Sequence, residues 1–266
     1  MKAISNLLLC MSTLLVSCTM DAQVIWLTNK NVNYSDCSVQ ERDAQAFCSI
    51  TNSSPFDVLF EQSAEPYIIV EGDEPYLSKI HTDIKGESLN ITLEPGRYRN
   101  VRLRVRAGSP DIRNLSVAGS GLLECVTDIA TQEEIKLQVS GSGDVITKDI
   151  SCSRLSATVA GSGDMDINRI NAAELNISVK GSGDMEIASV NGSDMSLSVT
   201  GSGDIDIVRV NLDGTLQANV TGSGDITVNG HARNVDAGVI GSGDLSGRLS
   251  YDSITRHRSG SGDINW

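Results

Sequence analysis

The sequence predicts an all-β fold, a right-handed parallel β-helix (solenoid) of about 20 residues per coil. Three observations predict it: a tetrapeptide returning at near-constant spacing, aliphatic columns of period two between its copies, and a composition of turn formers with few aromatics. Gly-Ser-Gly-Asp begins at Gly141, Gly161, Gly181, Gly201, Gly222, Gly241 and Gly260, after a degenerate copy that begins at Gly119. The steps are 22, 20, 20, 20, 21, 19 and 19 residues. A fixed period of this size marks one supersecondary unit per repeat, stacked on its neighbours.

Residues 1–22 read as a signal peptide. Lys2 precedes an apolar run from Leu7 to Val16, too short to span a bilayer and suited to the core of an export signal. It ends in Leu15-Val16-Ser17-Cys18, which resembles the lipobox of bacterial lipoproteins. Cys18 is therefore the expected lipidation site, and several acyl chains on one terminus give stable membrane anchoring. The alternative is plain secretion with cleavage after Ala22. Both readings place the mature chain outside the cytoplasm, as an exported, outer-membrane lipoprotein in the first case, with its membrane face left open.

Residues 23–46 read as a linker or N-terminal cap, rich in turn residues such as Asn29-Lys30-Asn31. Cys37 and Cys48 lie eleven apart and are read either as a disulfide closing a small loop or as thiols. The β-helix domain is expected over 47–266. Its first coils, 47–116, are irregular: Leu89-Asn90-Ile91-Thr92-Leu93 and Val101-Arg102-Leu103-Arg104-Val105 alternate as half-buried strands do. Turn signals such as Glu94-Pro95-Gly96 divide them.

The regular coils occupy 117–266. Counting from the first Gly of each copy, the place four on holds Val145, Met165, Met185, Ile205, Ile226, Leu245 and Ile264. Two places before it stand only valines, from Val139 to Val239, and six before stand Ile135, Leu155, Leu175, Met195, Leu216, Val235 and Ile254. Further aliphatic columns fall at plus six and plus nine, and polar residues such as Asp166, Glu186 and Asp206 lie between them. Alternation of this kind puts one face of each strand inside, and stacked coils turn each inward place into a ladder. Cys125 falls in an inward column and Cys152 near a corner, so both thiols are expected to be buried.

Glycine tolerates sharp corners and close approach of neighbouring backbones. Corners in register would place Asp144, Asp164, Asp184, Asp204, Asp225, Asp244 and Asp263 in one column. Carboxylates about 5 Å apart repel by roughly 1 kcal/mol per pair in water, so something must offset them. The reading taken is a structural turn ladder, each Asp accepting local backbone N–H groups. A Ca2+ ladder is the alternative, because stacked carboxylates suit a hard cation, and carbohydrate contact along the column is a third.

With Phe56-Asp57-Val58, the strands after it and the Gly-Ser-Gly-Asp ladder, the chain resembles the GIN-domain family, adhesin head domains common in Bacteroidota. The resemblance covers about 47–266. It implies a right-handed β-helix on an exported or lipid-anchored protein, and it brings no catalytic motif.

A formal charge of −13 excludes attraction to nucleic-acid phosphates and disfavours an anionic membrane surface as the main partner. The three histidines, His81, His231 and His257, have no metal-ligand spacing. Carboxylate pairs recur coil after coil and read as solvated faces, and near-constant coil length leaves no room for a loop-walled cleft. The expected function is a non-catalytic, adhesin-like binding or scaffold module of the cell envelope. It has no catalytic residue, cofactor or metal site, and its partner is a glycan, cell-wall polymer or protein; it touches the membrane through the lipid anchor only and is open to forming an oligomer. A calcium-stabilised stalk is the runner-up, and a polysaccharide-cleaving enzyme the third reading.

Overall fold

The computed structural model describes residues 33–266; the stretch read as a signal peptide, Cys18 and the first part of the stretch read as a linker or cap lie outside the described residues. Ser38–Trp266 form one unit. Two-thirds of the chain is strand, wound into about 8 turns of a parallel β-solenoid. The aliphatic column at plus four runs through it unbroken, as Val145↔Met165↔Met185↔Ile205↔Ile226↔Leu245↔Ile264.

Each regular coil has three inward stretches rather than two. In the coil of Met165–Gly181 the buried side chains are Met165 and Ile167, then Ile170 and Ala172, then Leu175, Ile177 and Val179. Two consecutive outward residues, Asn168-Arg169 and Ala173-Glu174, turn the chain between them. The period of two therefore restarts twice per coil, which gives three sides. Burying aliphatic surface coil on coil, at roughly 25 cal/mol per Å², holds the stack together. Coils that differ in length absorb the difference locally: the ladder shifts between Gly192 and Met195, where the 201-to-222 coil carries an added residue.

The first coils join the stack out of chain order. β1 (Ser38–Arg42), β2 (Ser49–Asn52), β3 (Asp57–Gln62) and β4 (Tyr67–Gly72) are followed by a short helix, α1 (Glu74–Leu77). Then come β5 (Ile80–Lys85), β6 (Ser88–Leu93), β7 (Leu103–Ser109), β8 (Asn114–Val117) and β9 (Leu122–Cys125). β2 pairs in parallel with both β6 and β8, and β3 with both β7 and β9. The β6–β7 coil thus lies outside the β2–β3 coil, although it follows it in sequence. Three antiparallel pairings finish this end: β4 with β7, β1 with β4, and β5 with β6. The stretch read as linker or cap thereby contributes a strand, β1.

All three phenylalanines of the chain sit here. Phe47 and Phe60 meet with ring centroids 6.5 Å apart, and Phe56 is buried beside them. At the other end Arg256 and Arg258 stand in the columns that Ala237 and Val239 fill one coil earlier. Both are exposed, so the aliphatic filling stops there. Tyr251 and Trp266 pack on the last of the core, and the Tyr251 hydroxyl donates to the Trp266 carbonyl at 3.0 Å.

The cysteines divide. Cys125 is buried, and burial pushes its thiol pKa well up. Cys152 departs from the expectation of burial: it is half-exposed, one residue past the end of the Ala130↔Ser151 ladder, and only partly packed against the core. Its Sγ donates to the Arg154 carbonyl at 3.2 Å, and its pKa rises to about 11, chiefly through partial burial. Cys48 is a thiol donating to Glu87 at 3.3 Å, so the disulfide alternative is not the one taken.

Candidate functional site

The corners stack directly over one another. A Cβ added at Gly183 would lie 2.0 Å from the Gly163 carbonyl oxygen, and one at Gly203 equally close to that of Gly183. No side chain fits there. At most corners one carbonyl also serves two donors: Gly181 O accepts from Ser202 N–H at 2.9 Å and Gly203 N–H at 3.1 Å.

The seven aspartates form one column, and the carboxylates of the first six bond to the next coil rather than to their own turn, while the last, Asp263, accepts from Arg258 at 2.6 Å. Asp164 N–H donates to Asp144 Oδ1 at 2.8 Å, Asp184 N–H to Asp164 Oδ1 at 2.9 Å, and Asp204 N–H to Asp184 Oδ1 at 2.9 Å. The series continues through Asp225, Asp244 and Asp263, each at 2.7 Å. Each side chain thus stands in for a backbone acceptor between coils, and a backbone donor between successive carboxylates offsets their repulsion. The degenerate copy is an internal control. Leu122 offers no carboxylate, and Asp144 N–H turns instead to the Gly121 carbonyl at 3.2 Å.

Sequence reasoning missed one member of this column. Asp57 stands in register with Leu122, and its carboxylate accepts the Leu122 N–H. Its corner has no glycines. Asn52, fully buried, holds it together: Nδ2 donates to the Phe56 and Leu122 carbonyls, both at 3.1 Å, and Oδ1 accepts from Ser54 N–H at 2.9 Å and Ser54 Oγ at 2.6 Å. The available signal was an Asp followed by an aliphatic residue, as in every later copy.

Three outward surfaces follow from the three sides, and they differ chemically. The first lies beside the Asp column, where Asp166, Glu186 and Asp206 occupy successive coils in register. With Ala188 and Val208 they line a shallow groove of about 480 Å³. Burial, then Glu186, Asp164 and Asp144, pushes Asp166 up to about 6. Burial likewise raises Asp144, Asp184 and Asp204. Among the described residues no three acids, cysteines or histidines are arranged to hold a metal ion.

The second surface carries an asparagine ladder that bonds to itself, Asn191 Nδ2 donating to Asn171 Oδ1 at 3.2 Å. Near its end His231 Nδ1 lies 3.1 Å from Ser250 Oγ. The third surface has neutral polar columns flanked by charge, Arg154↔Glu174↔Asp194 running along one side and Lys180 standing on the other. One of its columns is Ser156↔Asn176↔Ser196↔Gln217 and the next Thr158↔Ser178↔Ser198↔Asn219. The remaining histidines sit beside acids, His81 at 3.4 Å from Glu94 and His257 at 3.8 Å from Asp236, and are not brought together.

The chain belongs to the family described as putative auto-transporter adhesin, head GIN domain, whose profile matches residues 46–232 and 176–266. No curated protein matches the sequence. Solved structures share the fold. A putative lipid binding protein from Parabacteroides distasonis is 24% identical with a TM-score of 0.76, the match covering 87% of this chain and 96% of that one. A putative adhesin from the same species is 20% identical with a TM-score of 0.77, covering 86% and 96%. A putative adhesin from Parabacteroides merdae is 19% identical with a TM-score of 0.77, covering 87% and 96%.

Proposed function

We propose that this adhesin-head family member is an exported, non-catalytic binding module of the cell envelope, held at the outer membrane by lipid on Cys18 and presenting its solenoid surface to a glycan, cell-wall polymer or protein. The observation that carries the reading is the repetition of the outward faces. Asp166, Glu186 and Asp206 occupy equivalent places in successive coils, so no one pair is set apart as acid and base. A surface that repeats along its length suits adhesion better than turnover at one point.

One solved relative is described as lipid-binding. In this chain the tube interior is filled, with Val179, Ile205, Leu216 and Val239 at no more than about 1% exposure. An acyl chain has no room inside, which favours an external partner. The calcium-stalk reading separates from this one by a melt: a fall in melting temperature on adding chelator supports the stalk, and indifference supports the binding module.

The direct test follows the full chain and C18A in cells, by acyl labelling, fractionation and adhesion of purified mature chain to envelope material. Wild type should label, partition with outer membrane and adhere; C18A should be exported unlabelled. Steady hydrolysis of any polysaccharide by the purified chain, or retention of wild type in the cytoplasm, would overturn the reading.

A further inference from the structure

The outermost coil departs from the others at one corner. Asn52 and Val58 are six steps apart around their corner, as are Val139 and Val145, whereas Ile91 and Val105, in the same two columns, are fourteen apart. The added length is the nine-residue loop 94–102 between β6 and β7. The loop is fastened at several points. Tyr98 packs edge-on against Tyr76 of α1, ring centroids 5.7 Å apart, and its hydroxyl donates to the Glu94 carbonyl at 2.7 Å. At its two ends Glu94 accepts from Lys79 at 2.6 Å, and Arg102 donates to Asp73 at 2.9 Å. Arg97 and Arg99 flank the held tyrosine and are exposed; among the described residues neither side chain has a hydrogen-bond or ion-pair partner.

Two guanidinium forks two residues apart suit the oxygens of phosphate groups. The charge around them is unevenly placed. Residues 117–266 hold twenty acids and ten bases, a balance of −10; 38–116 hold twelve and nine, a balance of −3; the loop itself holds three arginines and one glutamate, a balance of +2. Exposed acids do occur at this end, Glu74 on α1 and Asp83 on β5, but outside the loop. An anionic plane therefore attracts the loop and repels the regular coils, and at a Debye length of about 8 Å the nearer group dominates. The chain also enters the solenoid here: twenty residues separate Cys18 from Ser38, the start of β1, and β1 reaches the outermost coil through β4 and β7. Within that stretch Val24-Ile25-Trp26-Leu27 is apolar with a tryptophan, a composition suited to a bilayer interface. That neighbour favours a lipid surface over a soluble anion.

We propose that loop 94–102 is a second membrane contact, Arg97 and Arg99 taking the phosphate headgroups of the bilayer in which Cys18 is anchored, with the regular coils turned away from it. The inference rests on the lipid-anchored reading and goes beyond contact through the anchor alone, which leaves the solenoid free to turn. Two arginines hold headgroups weakly by themselves, and the anchor supplies the effective concentration at which the contact persists. The last coils then stand farthest from the lipid, where a partner outside the membrane meets them.

The test is hydrogen exchange of the acylated mature chain in two kinds of vesicle, phosphatidylcholine alone and phosphatidylcholine with phosphatidylglycerol, read peptide by peptide by mass spectrometry. Each arginine beside an anionic surface favours docking about fivefold, so the pair should favour it about thirtyfold and slow exchange across 94–102 in the anionic vesicles only. Salt at about 1 M, where the Debye length is about 3 Å, should reverse the protection. R97E/R99E should remove it and R97K/R99K should retain it. R209E/R233E, which changes the net charge equally at exposed sites on the regular coils, should leave it in place; melting temperatures check that each variant folds. Protection that survives R97E/R99E, or that R209E/R233E removes as well, would overturn the proposal. Equal protection by inorganic phosphate in phosphatidylcholine vesicles would reassign the loop to a soluble anion, and protection that grows with protein density in both vesicles to a second copy; either result overturns the bilayer. A wild-type chain that floats with both vesicles but exchanges alike in them removes this inference and leaves the anchor standing; one that floats with neither removes both.

Discussion

Between Ser38 and Val117 the tube is held by side chains that each do something different, whereas between Gly141 and Gly241 every coil does what the one before it did. The first region uses aromatic filling, antiparallel pairing and ion pairs: Glu71, only 8% exposed, accepts from Arg104 and Arg106, and Asp73 accepts from Arg102 at 2.9 Å. The second uses valine columns, glycine corners and carboxylate rungs, and among the described residues the first ion pair on its Asp column is Arg258 with Asp263, at its end. A terminal coil has a neighbour on one side only, so it must make from unlike contacts what an inner coil receives by repetition.

The sharpest way to break that comparison is at glycine. Gly183→Ala places a methyl against the Gly163 carbonyl, and neither backbone can yield without opening the coil spacing. We expect a loss of about 3 kcal/mol, seen as a lower urea midpoint. In the first region Gly86 has a φ of +62° with nothing within 4 Å of an added Cβ, so Gly86→Ala should cost only its backbone strain, about 1 kcal/mol. Equal losses at the two sites would mean that close approach does not set the corner sequence.

The next test asks whether the first region is a separable cap. Glu71→Gln removes the charge that two arginines share, and should cost about 2 kcal/mol, somewhat below the loss of a fully buried partner. In a solenoid such a loss stays near its source. Hydrogen exchange should quicken in 67–109 and remain unchanged in 165–241. Uniform quickening along the chain would show that the two regions unfold as one.

These differences also explain what could be read in advance. The aliphatic columns and stacked corners were legible because each place is sampled seven times, and repetition separates inward from outward residues without coordinates. The outer position of β6–β7 was not legible. Strand alternation reports which face is buried, but says nothing about which coil lies on which, and here the chain steps outward past β2–β3 before returning. Asp57 escaped notice because its corner is built from Asn52 and Ser54 and the next column aspartate is Asp144. The direction of each carboxylate rung, to the following coil and not to its own turn, depends on distances between coils.

The smallest effect tests the electrostatic side of the comparison, because the two regions should respond to acid with opposite sign. Asp166 is held among Glu186, Asp164 and Asp144, and burial with their repulsion moves its pKa from the usual 3.8 to about 6. Between those values the folded chain keeps a proton that the unfolded chain releases, so this group lowers stability as pH rises through that window and imposes its full cost at pH 7. Two units would amount to nearly 3 kcal/mol, but the side chain is partly solvated, and about 1 kcal/mol is expected. Asp73, which backbone and side-chain hydrogen bonds from Arg102 hold below the usual range, runs the other way: its stabilisation is present at neutral pH and fades as pH falls through its lowered pKa. D166N should therefore melt above wild type at pH 7, and the gap should close as pH falls to about 4, where wild-type Asp166 is protonated in the folded state. A variant that melts lower than wild type at pH 7, or a gap that stays constant with pH, would mean that the acidic face is not self-repelling and that the carboxylate is held by a partner.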